Sequence, residues 1–202
     1  MSTRIDHVIT AGIFSLDGED FDVENNIWLV GDDDDVLVID AAHDHRPILD
    51  GIGGRNVSGI VCTHAHNDHI NAAADLAEAT GAPILLHPDD SMLWEVIYPD
   101  RRVDNELADG QKLVVGGVEV EILHTPGHSP GGVSLHVASE RTVFSGDTLF
   151  NGGPGATGRS FSSHELLVES ITRKLLVLDA DTVVHTGHGD STTIGAEIPN
   201  VK

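Results

Sequence analysis

The sequence contains a single cysteine, Cys62, among 202 residues, and its N-terminus lacks the charged and then apolar pattern of a signal peptide. One cysteine cannot form an intrachain disulfide, which excludes the disulfide-rich class of small secreted proteins. No apolar run approaches the roughly 20 residues that a membrane-spanning helix needs, so we expect no membrane partner. Together these absences predict a cytoplasmic protein.

Positive charge is also scarce, because 11 Lys and Arg face 33 Asp and Glu and leave a formal net charge of −22. Such a charge repels phosphate backbones, and the sequence has no basic stripe to offset it, so we expect no nucleic-acid partner. We interpret the excess of acid as a solvated surface that favours solubility. The length fits one domain, 1–202, and leaves the oligomeric state open.

Strands dominate the beginning of the chain. The runs VITAGIF, NIWLV and VLVID are short, apolar or β-branched, and separated by Gly and Asp. We interpret the acidic run GDDDDV, 31–36, as a hairpin turn and not as a calcium loop, since it lacks the spaced ligands of an EF-hand. GIVCT is predicted to be a buried strand, and residues 68–82 a helix that ends at Gly81.

The same alternation continues to the end of the chain. PILLH is a predicted strand followed by a short helix at 88–97, and KLVVGGVEVEIL is a predicted hairpin around a Gly-Gly turn. GVSLHV, RTVFSG and DTVVHTGHG are further strands, and residues 162–178 form an amphipathic helix capped by Ser162 or Ser163. Two sheets packed face to face with helices outside would bury these elements.

The segment VCTHAHNDHI, 61–70, concentrates polar side chains directly after a predicted buried strand. His64 and His66 are two positions apart, so they point the same way in extended backbone. Asp68 and His69 follow where the next helix begins, which can direct all four side chains into one pocket. Imidazole and carboxylate ligands suit Zn²⁺, and also iron or manganese. The segment therefore predicts a metal site.

Three later residues offer the same ligand chemistry at junctions between strands and loops. His128 lies in the Pro- and Gly-bounded run HTPGHSPGG, Asp147 just past the strand VFSG, and His188 between glycines after the last strand. Functional side chains are commonly displayed at such junctions. We therefore treat these residues as further candidate ligands.

The motifs THAHNDHI, TPGHSPGG, GDTLF and GHGDSTTIGAE together resemble those of the metallo-β-lactamase-fold hydrolases, and the last of them is most similar to the glyoxalase II-like branch. The resemblance covers nearly the whole chain, in the order of the family. It implies an α/β (α+β) protein built as a four-layer αββα sandwich, with two mixed sheets flanked by helices and a site at one edge of the sheets.

The resemblance also implies two ligand sets joined by a shared carboxylate, with no substitution at any position. The two sets and the shared residue are, in that order, His64, His66 and His128; Asp68, His69 and His188; and Asp147. The expected cofactors are two divalent metal ions, zinc in the first place, with iron or manganese as alternatives. Asp40, which ends the VLVID strand, is expected to hydrogen-bond a ligand from behind.

The implied chemistry is hydrolysis of a small thioester or related acyl–thiol compound, as in hydroxyacylglutathione hydrolases. A water between two divalent cations becomes a nucleophile at neutral pH, and one cation polarises the carbonyl that it attacks. Asp68 is expected to orient this water and to accept its proton. The expected partner is thus a small-molecule substrate, a thiol adduct, and Cys62 is not a nucleophile because it lies in a predicted buried strand.

Two departures from glyoxalase II leave the carrier thiol open. That enzyme has an additional C-terminal helical region that helps to bind glutathione, and we expect it to be missing because the sequence ends at Lys202. The loop at 151–163 also lacks the usual Gly-Cys-Gly-Arg run. We interpret this loop as lying beside the substrate, with Arg159 either an anion contact or a surface arginine.

Two other activities fit the same ligands. A persulfide dioxygenase would use one iron, held by two histidines and the aspartate, although that group typically carries a Gly-Cys-Gly-Arg-Thr-Asp run that is absent here. A lactonase would share the chemistry of the ligands. Antibiotic hydrolysis is disfavoured because clinical β-lactamases lack this full ligand set. Metal content and oxygen uptake separate the dioxygenase from the hydrolases.

Overall fold

The computed structural model describes residues 2–16 and 18–201. Its first sheet has six strands in the order β1-β2-β3-β4-β5-β6, with antiparallel pairing through β3 and parallel pairing beyond it. The strands are β1 (Arg4–Leu16), β2 (Glu19–Gly31), β3 (Asp35–Ile39), β4 (Asn56–Val61), β5 (Ile84–Leu86) and β6 (Asn105–Glu106). Asp32 closes the predicted turn between β2 and β3 by accepting hydrogen bonds from the backbone N–H groups of Asp34 and Asp35.

The second sheet has six strands in the order β14-β13-β10-β9-β8-β7, in which only β10 and β13 pair in parallel. Its strands, together with a separate small β11–β12 ribbon, are β7 (Lys112–Val115), β8 (Val118–His124), β9 (Val133–Val137), β10 (Thr142–Gly146), β11 (Leu149–Phe150), β12 (Gly153–Pro154), β13 (Val183–Thr186) and β14 (Thr192–Thr193). The α-helices are α1 (His45–Ile52), α2 (Asn67–Ile70), α3 (Ala73–Thr80), α4 (Ser91–Ile97), α5 (His164–Ser170) and α6 (Ile194–Glu197).

Alternating side chains on the strands divide the core into three layers. On β2, Ile27 and Leu29 pack with the side chains of α1, α3 and α4, whereas Trp28 and Val30 face the second sheet. On β10, Phe144 faces the first sheet and Val143 packs against α5. The order is therefore helices, sheet, sheet, helix, which confirms the predicted αββα sandwich.

The helices differ from the sequence expectation in three places. Residues 45–52 form α1, which the sequence analysis did not predict. The predicted helix at 68–82 is broken into α2 and α3, because the backbone of Ala72 leaves the helical region to donate to Ala41 O. The predicted helix at 162–178 begins as expected with Ser163 as its cap, but it continues beyond Ser170 as a π-helical turn, Ile171–Leu175.

The two sheets are joined beside the site by hydrogen bonds between β2 and the end of β13. Trp28 Nε1 donates to Thr186 O over 3.0 Å, and Asn26 donates to the same carbonyl through its side chain. The indole ring of Trp28 lies between the rings of His7 and His185, each 4.1 Å away between centroids. This contact fixes the spacing of the sheets where the site is formed.

None of the helices in the described part of the chain is long and apolar enough to cross a membrane.

The stack on Trp28 predicts an acid-dependent loss of stability. Burial and the nearby His7 lower the pKa of His185 to about 4, so the folded protein favours the neutral ring. The unfolded chain binds the proton near pH 6.5, so this contribution is present above that pH and is lost as the pH falls toward 4, by roughly 2–3 kcal/mol. His185→Phe keeps a stacked ring without a proton site, so the free energy of unfolding, measured in urea, should fall less between pH 7.5 and 4.5 than in the unmodified protein. Equal losses in the two proteins would contradict this account.

Candidate metal centre

The candidate metal centre lies where strands of both sheets end. Parallel strands β3 and β4 bring Asp40 and His64 to the same edge of the first sheet, and parallel strands β10 and β13 bring Asp147 and His188 to the facing edge of the second. The loop between β8 and β9 adds His128. The structure thus brings together all seven residues that the sequence analysis proposed as ligands.

Three imidazoles form the first ligand group. His66 Nδ1 lies 3.0 Å from His64 Nε2 and 2.9 Å from His128 Nε2. The rings of these residues meet edge to face, with interplanar angles of 84–85°. Three ring nitrogens from two separate loops therefore converge on one point.

The second group contains two imidazoles and one carboxylate. His69 Nε2 lies 3.1 Å from His188 Nε2, and Asp68 Oδ2 lies 3.5 Å from His69 Nε2 and 3.3 Å from His188 Nε2. Asp68 and His69 belong to α2, which begins directly after His66. The short helix thus turns these two side chains toward His188 on the other sheet.

Asp147 lies between the two groups. Its Oδ1 is 3.4 Å from His69 Nε2, and its Oδ2 is 3.6 Å from both His128 Nε2 and His188 Nε2. Oδ1 is buried and receives no hydrogen bond within the described residues, which is costly for a carboxylate. Gly187 allows this approach, since a Cβ at that position would overlap Asp147 Oδ1.

Hydrogen bonds to the outward-facing Nδ1 atoms of two histidines leave their Nε2 atoms unprotonated and directed into the site. His128 Nδ1 lies 2.7 Å from Ala156 O, and His188 Nδ1 lies 2.7 Å from Glu24 O. A carbonyl oxygen can only accept, so each Nδ1 carries the proton and each Nε2 presents a lone pair to the centre. This is the arrangement in which a histidine binds a metal.

Asp40 orients two more rings in the same way. Its Oδ2 accepts from His69 Nδ1 over 2.8 Å and from Thr63 Oγ1 over 2.9 Å. The Thr63 hydroxyl has thereby used its proton, so it accepts from His64 Nδ1 at 3.1 Å. Asp40 Oδ1 accepts from the Thr63 backbone N–H. The predicted supporting role of Asp40 thus has a geometric counterpart that reaches His64 and His69.

The electrostatics of the two groups differ. Burial, together with the neighbouring imidazoles, lowers the pKa of His64 well below its usual range and that of His66 to about 4, so both rings are neutral. Burial opposes charge on His69 too, but Asp147, Asp68 and Asp40 outweigh it and raise its pKa well above the usual range, so the inward nitrogen of His69 favours a proton until a cation takes the proton's place. Burial alone would raise the pKa of Asp147, and the surrounding imidazoles lower it far more.

These features fit divalent cations. Ligand atoms on one tetrahedral zinc are about 3.3 Å apart, close to the 2.9–3.6 Å separations found here. The inward lone pairs and the orphaned Asp147 Oδ1 would be satisfied together by positive charge between them. The donor set of nitrogen and carboxylate oxygen suits zinc, iron and manganese. The roles of the seven residues as ligands stay predictions.

Two residues that the sequence analysis did not select, Asp90 and Asn25, stabilise the centre through hydrogen bonds to the segments that carry the proposed ligands. Asp90 is fully buried and accepts from the backbone N–H of Ala65, from Gly131 N and from Ser129 Oγ, which ties together the loops that carry His64, His66 and His128. Asn25 Nδ2 donates to Asp68 Oδ2 over 3.2 Å. The sequence gives little sign of either role, since Asn25 stands between Glu24 and Asn26 in the polar half of β2 and nothing in PDDSM distinguishes Asp90 from a surface acid.

A cavity of about 380 Å³ opens directly above the two ligand groups. Its described lining combines five of the seven proposed ligands with side chains from the β1–β2 hairpin and from the 151–163 loop: Phe14, Val23, Glu24, His66, Asp68, His128, Asp147, Ala156 and His188. Arg159 does not line this cavity; it lies on the same loop with its Nη2 3.8 Å from Glu19 Oε2. The prediction that Arg159 contacts an anion stays untested.

Comparison with known proteins identifies the family. A family model described as the metallo-beta-lactamase superfamily matches residues 21–188. The chain therefore belongs to the metallo-β-lactamase superfamily, and it is a metallo-hydrolase of that superfamily. Hydroxyacylglutathione hydrolase GloC of Haemophilus influenzae is 33% identical over 193 residues, which span 86% of this chain and 90% of GloC.

Two solved structures share the architecture closely. The protein TTHA1623, solved in a di-iron-bound form, superposes with a TM-score of 0.79 at 34% identity, over 88% of this chain and 94% of that one. The B3 metallo-β-lactamase BLEG-1 superposes with the same TM-score at 28% identity, over 95% and 98%. Both structures share the fold of this chain, and the di-iron form of TTHA1623 keeps the identity of the metal here open.

Asp40→Asn tests the hydrogen bonds behind the rings. The amide retains the size of the carboxylate, but it has one acceptor oxygen for three donors and no charge, so the affinity for Zn²⁺ should fall about 10–100-fold. Competition with a chromophoric chelator measures this affinity. Asp33→Asn, in the exposed β2–β3 turn, is the matched control and should bind as the unmodified protein does. Unchanged affinity in Asp40→Asn would show that these bonds do not orient the ligands.

Asp147→Ala removes the carboxylate that lies between the groups. We expect both metal binding and turnover to be abolished, because each group loses a ligand and the remaining imidazoles lose their negative neighbour. Metal analysis of the purified variant and its hydrolysis rate measure the two effects. Asp181→Ala, an exposed residue paired with Arg141, is the control. Full activity in Asp147→Ala would rule out the shared-ligand role.

Proposed function

We propose that the protein is a dinuclear metal-dependent hydrolase of a small thioester or related acyl–thiol compound. The observation that carries this proposal is the presence of two ligand groups, each with its own set of inward lone pairs, on either side of one buried carboxylate. A single metal site would leave one of the two groups of inward-facing ligand atoms without a cation. The cavity above both groups is open to a small substrate.

The chain's own residues divide the work. The two proposed ligand sets would hold the cations, and Asp147 lies within reach of both sets. When bound, two divalent cations supply positive charge that lowers the pKa of a water and polarises a carbonyl oxygen. Asp68 borders the cavity and is held by Asn25 and His188, so its carboxylate is positioned to orient the attacking water and to accept its proton.

Among the residues that the structure describes, neither Cys62 nor Ser145 is placed to replace this water as the nucleophile. Cys62 is fully buried, and burial together with Asp40 and Asp90 raises the pKa of its thiol well above the usual range. A protonated thiol in the core cannot reach a substrate in the cavity. Ser145 is equally buried and donates its hydroxyl proton to Leu149 O. Direct attack by water is therefore the mechanism that the arrangement supports.

The choice of a thioester rests on the motifs shared with the glyoxalase II-like branch and on the similarity to GloC, whose name describes a hydroxyacylglutathione hydrolase. Ester, thioester and lactone carbonyls are attacked in the same way, so the arrangement of ligands alone does not distinguish them. The acyl group and the thiol are decided by the cavity instead. Zinc is the proposed metal, with iron and manganese as alternatives, and the cytoplasm is the proposed location.

The test combines metal analysis with a substrate panel. Protein purified without added metal should contain two divalent metal ions per chain and should hydrolyse thioesters without consuming oxygen. One iron per chain with oxygen uptake on a persulfide would contradict the proposal and support a dioxygenase. Turnover of lactones with none of thioesters would support a lactonase.

Two histidine variants, one in the proposed second ligand group and one on the surface, provide a further test with a matched control. His188→Ala removes a proposed ligand of the second group, so it should lower the metal content toward one per chain and reduce thioester hydrolysis at least 100-fold. His164→Ala removes an exposed ring at the start of α5 and should leave both quantities unchanged. Equal behaviour of the two variants would refute the dinuclear assignment.

A further inference from the structure

The β1–β2 hairpin extends one apolar face over the metal centre. Its strands contain 13 residues each, and the register pairs Phe14 with Phe21 and Gly12 with Val23 on the same side of the ribbon. The ring of Phe14 lies 5.9 Å from that of His66 and 6.2 Å from that of Phe21, and Val23 lines the cavity. The hairpin therefore forms an apolar wall opposite the ligand groups.

The tip of the same hairpin is strongly acidic. Within the run EDFDVE, the side chains of Glu19, Asp20, Asp22 and Glu24 are all exposed. Glu24 borders the cavity directly, whereas Asp22 borders the outer groove of the hairpin. By the alternation of the strand, Asp20 and Asp22 lie on the face of the ribbon opposite Phe21 and Val23, so a group that projects past the edge of the hairpin comes near their carboxylates only after it has left the cavity.

The described lining of the cavity adds no basic side chain to balance the acidic tip. Among the described residues that line the cavity, none is Lys or Arg. Arg159 is the basic residue of the adjoining loop, and its guanidinium is 3.8 Å from the carboxylate of Glu19. Carboxylate and phosphate groups are usually recognised by Arg or Lys with direct hydrogen bonds, and the described lining offers no such pair.

We propose that this site is selective for thioesters that are apolar next to the reacting bond and carry no net negative charge. The inference rests on the proposed hydrolase function and adds the class of substrate. Phe14 and Val23 accommodate the apolar part, and the acidic tip repels anionic groups that extend beyond it. Cations at the centre would attract negative charge most strongly next to the reacting bond, whereas the tip lies nearer to the outlying part of the substrate.

The first experiment compares two substrates with the same hexanoyl group on the metal-loaded protein. One is the neutral thioester of N-acetylcysteamine, and the other is the anionic thioester of glutathione. At low ionic strength kcat/KM should be about tenfold higher for the neutral compound. The gap should narrow at 1 M salt, where the Debye length falls to about 3 Å. Equal values, or a preference for the anionic thioester at low salt, would overturn the proposal.

Variants of the tip locate the selectivity. The triple variant Glu19→Gln, Asp20→Asn and Asp22→Asn should reduce the ratio of neutral to anionic kcat/KM at least threefold. The matched control neutralises three exposed acids elsewhere, as Asp50→Asn, Glu78→Gln and Glu140→Gln, and should leave the ratio as it is. The same change of ratio in both variants would attribute the effect to net charge and would contradict a role for the hairpin.

The apolar wall is tested separately with acyl length. Phe14→Ala should reduce the preference for hexanoyl over acetyl N-acetylcysteamine several-fold, with the acetyl compound as the internal reference. An unchanged preference would show that Phe14 does not contact the acyl group.

A binding measurement separates this inference from the hydrolase proposal. The S-hexyl thioethers of N-acetylcysteamine and glutathione cannot be hydrolysed, and calorimetry reports their affinity directly. Tighter binding of the neutral thioether would support the charge preference even if no thioester were turned over, in which case only the proposed reaction would fail. Tighter binding of S-hexylglutathione would overturn the inference and leave the proposed reaction standing.

Discussion

The direction of four imidazole lone pairs is the constraint on which the centre depends. An imidazole presents a bare nitrogen to a cation only if its other nitrogen keeps the proton, and a hydrogen-bond acceptor behind the ring decides this. Two backbone carbonyls, one threonine hydroxyl and one carboxylate perform this task for His128, His188, His64 and His69. The chemistry therefore depends on atoms that never contact the substrate.

Asp40 shows how the backbone meets this constraint. Its φ of 61° lies in the left-handed region, which aspartate tolerates better than most residues, and it comes directly after β3. The turn of the chain at this point directs the carboxylate across the sheet toward the parallel neighbour β4, where it receives hydrogen bonds from both the backbone and the side chain of Thr63. Local strain at a strand end thus supports a precise arrangement of rings.

The strands and the segment from His64 to His69 follow from short-range pattern in the sequence, whereas the four-layer arrangement and the grouping of all seven residues follow from the motifs that the chain shares with its family. The strand runs fix which side chains alternate, and the H-x-H-x-D-H spacing fixes a strand end followed by a helix start. The hydrogen bonds of Asp90 and Asn25 join segments far apart in the chain, so local pattern does not reveal them. Helix α1 was missed because its Pro and Gly weaken a helical pattern of only eight residues.

The contribution of both sheets to the centre has a thermodynamic consequence. Residues between β3 and α3 and residues between β8 and β14 meet there, so a cation bound by residues of both sheets would bind the assembled sandwich and not its separated halves. The free energy of metal binding is then linked to the packing of the two sheets against each other. A bound metal would therefore stabilise the sheet interface in addition to taking part in the reaction. A low concentration of the metal ion would slow the reaction. It would also weaken the packing of the two sheets, on which renewed binding of the ion depends.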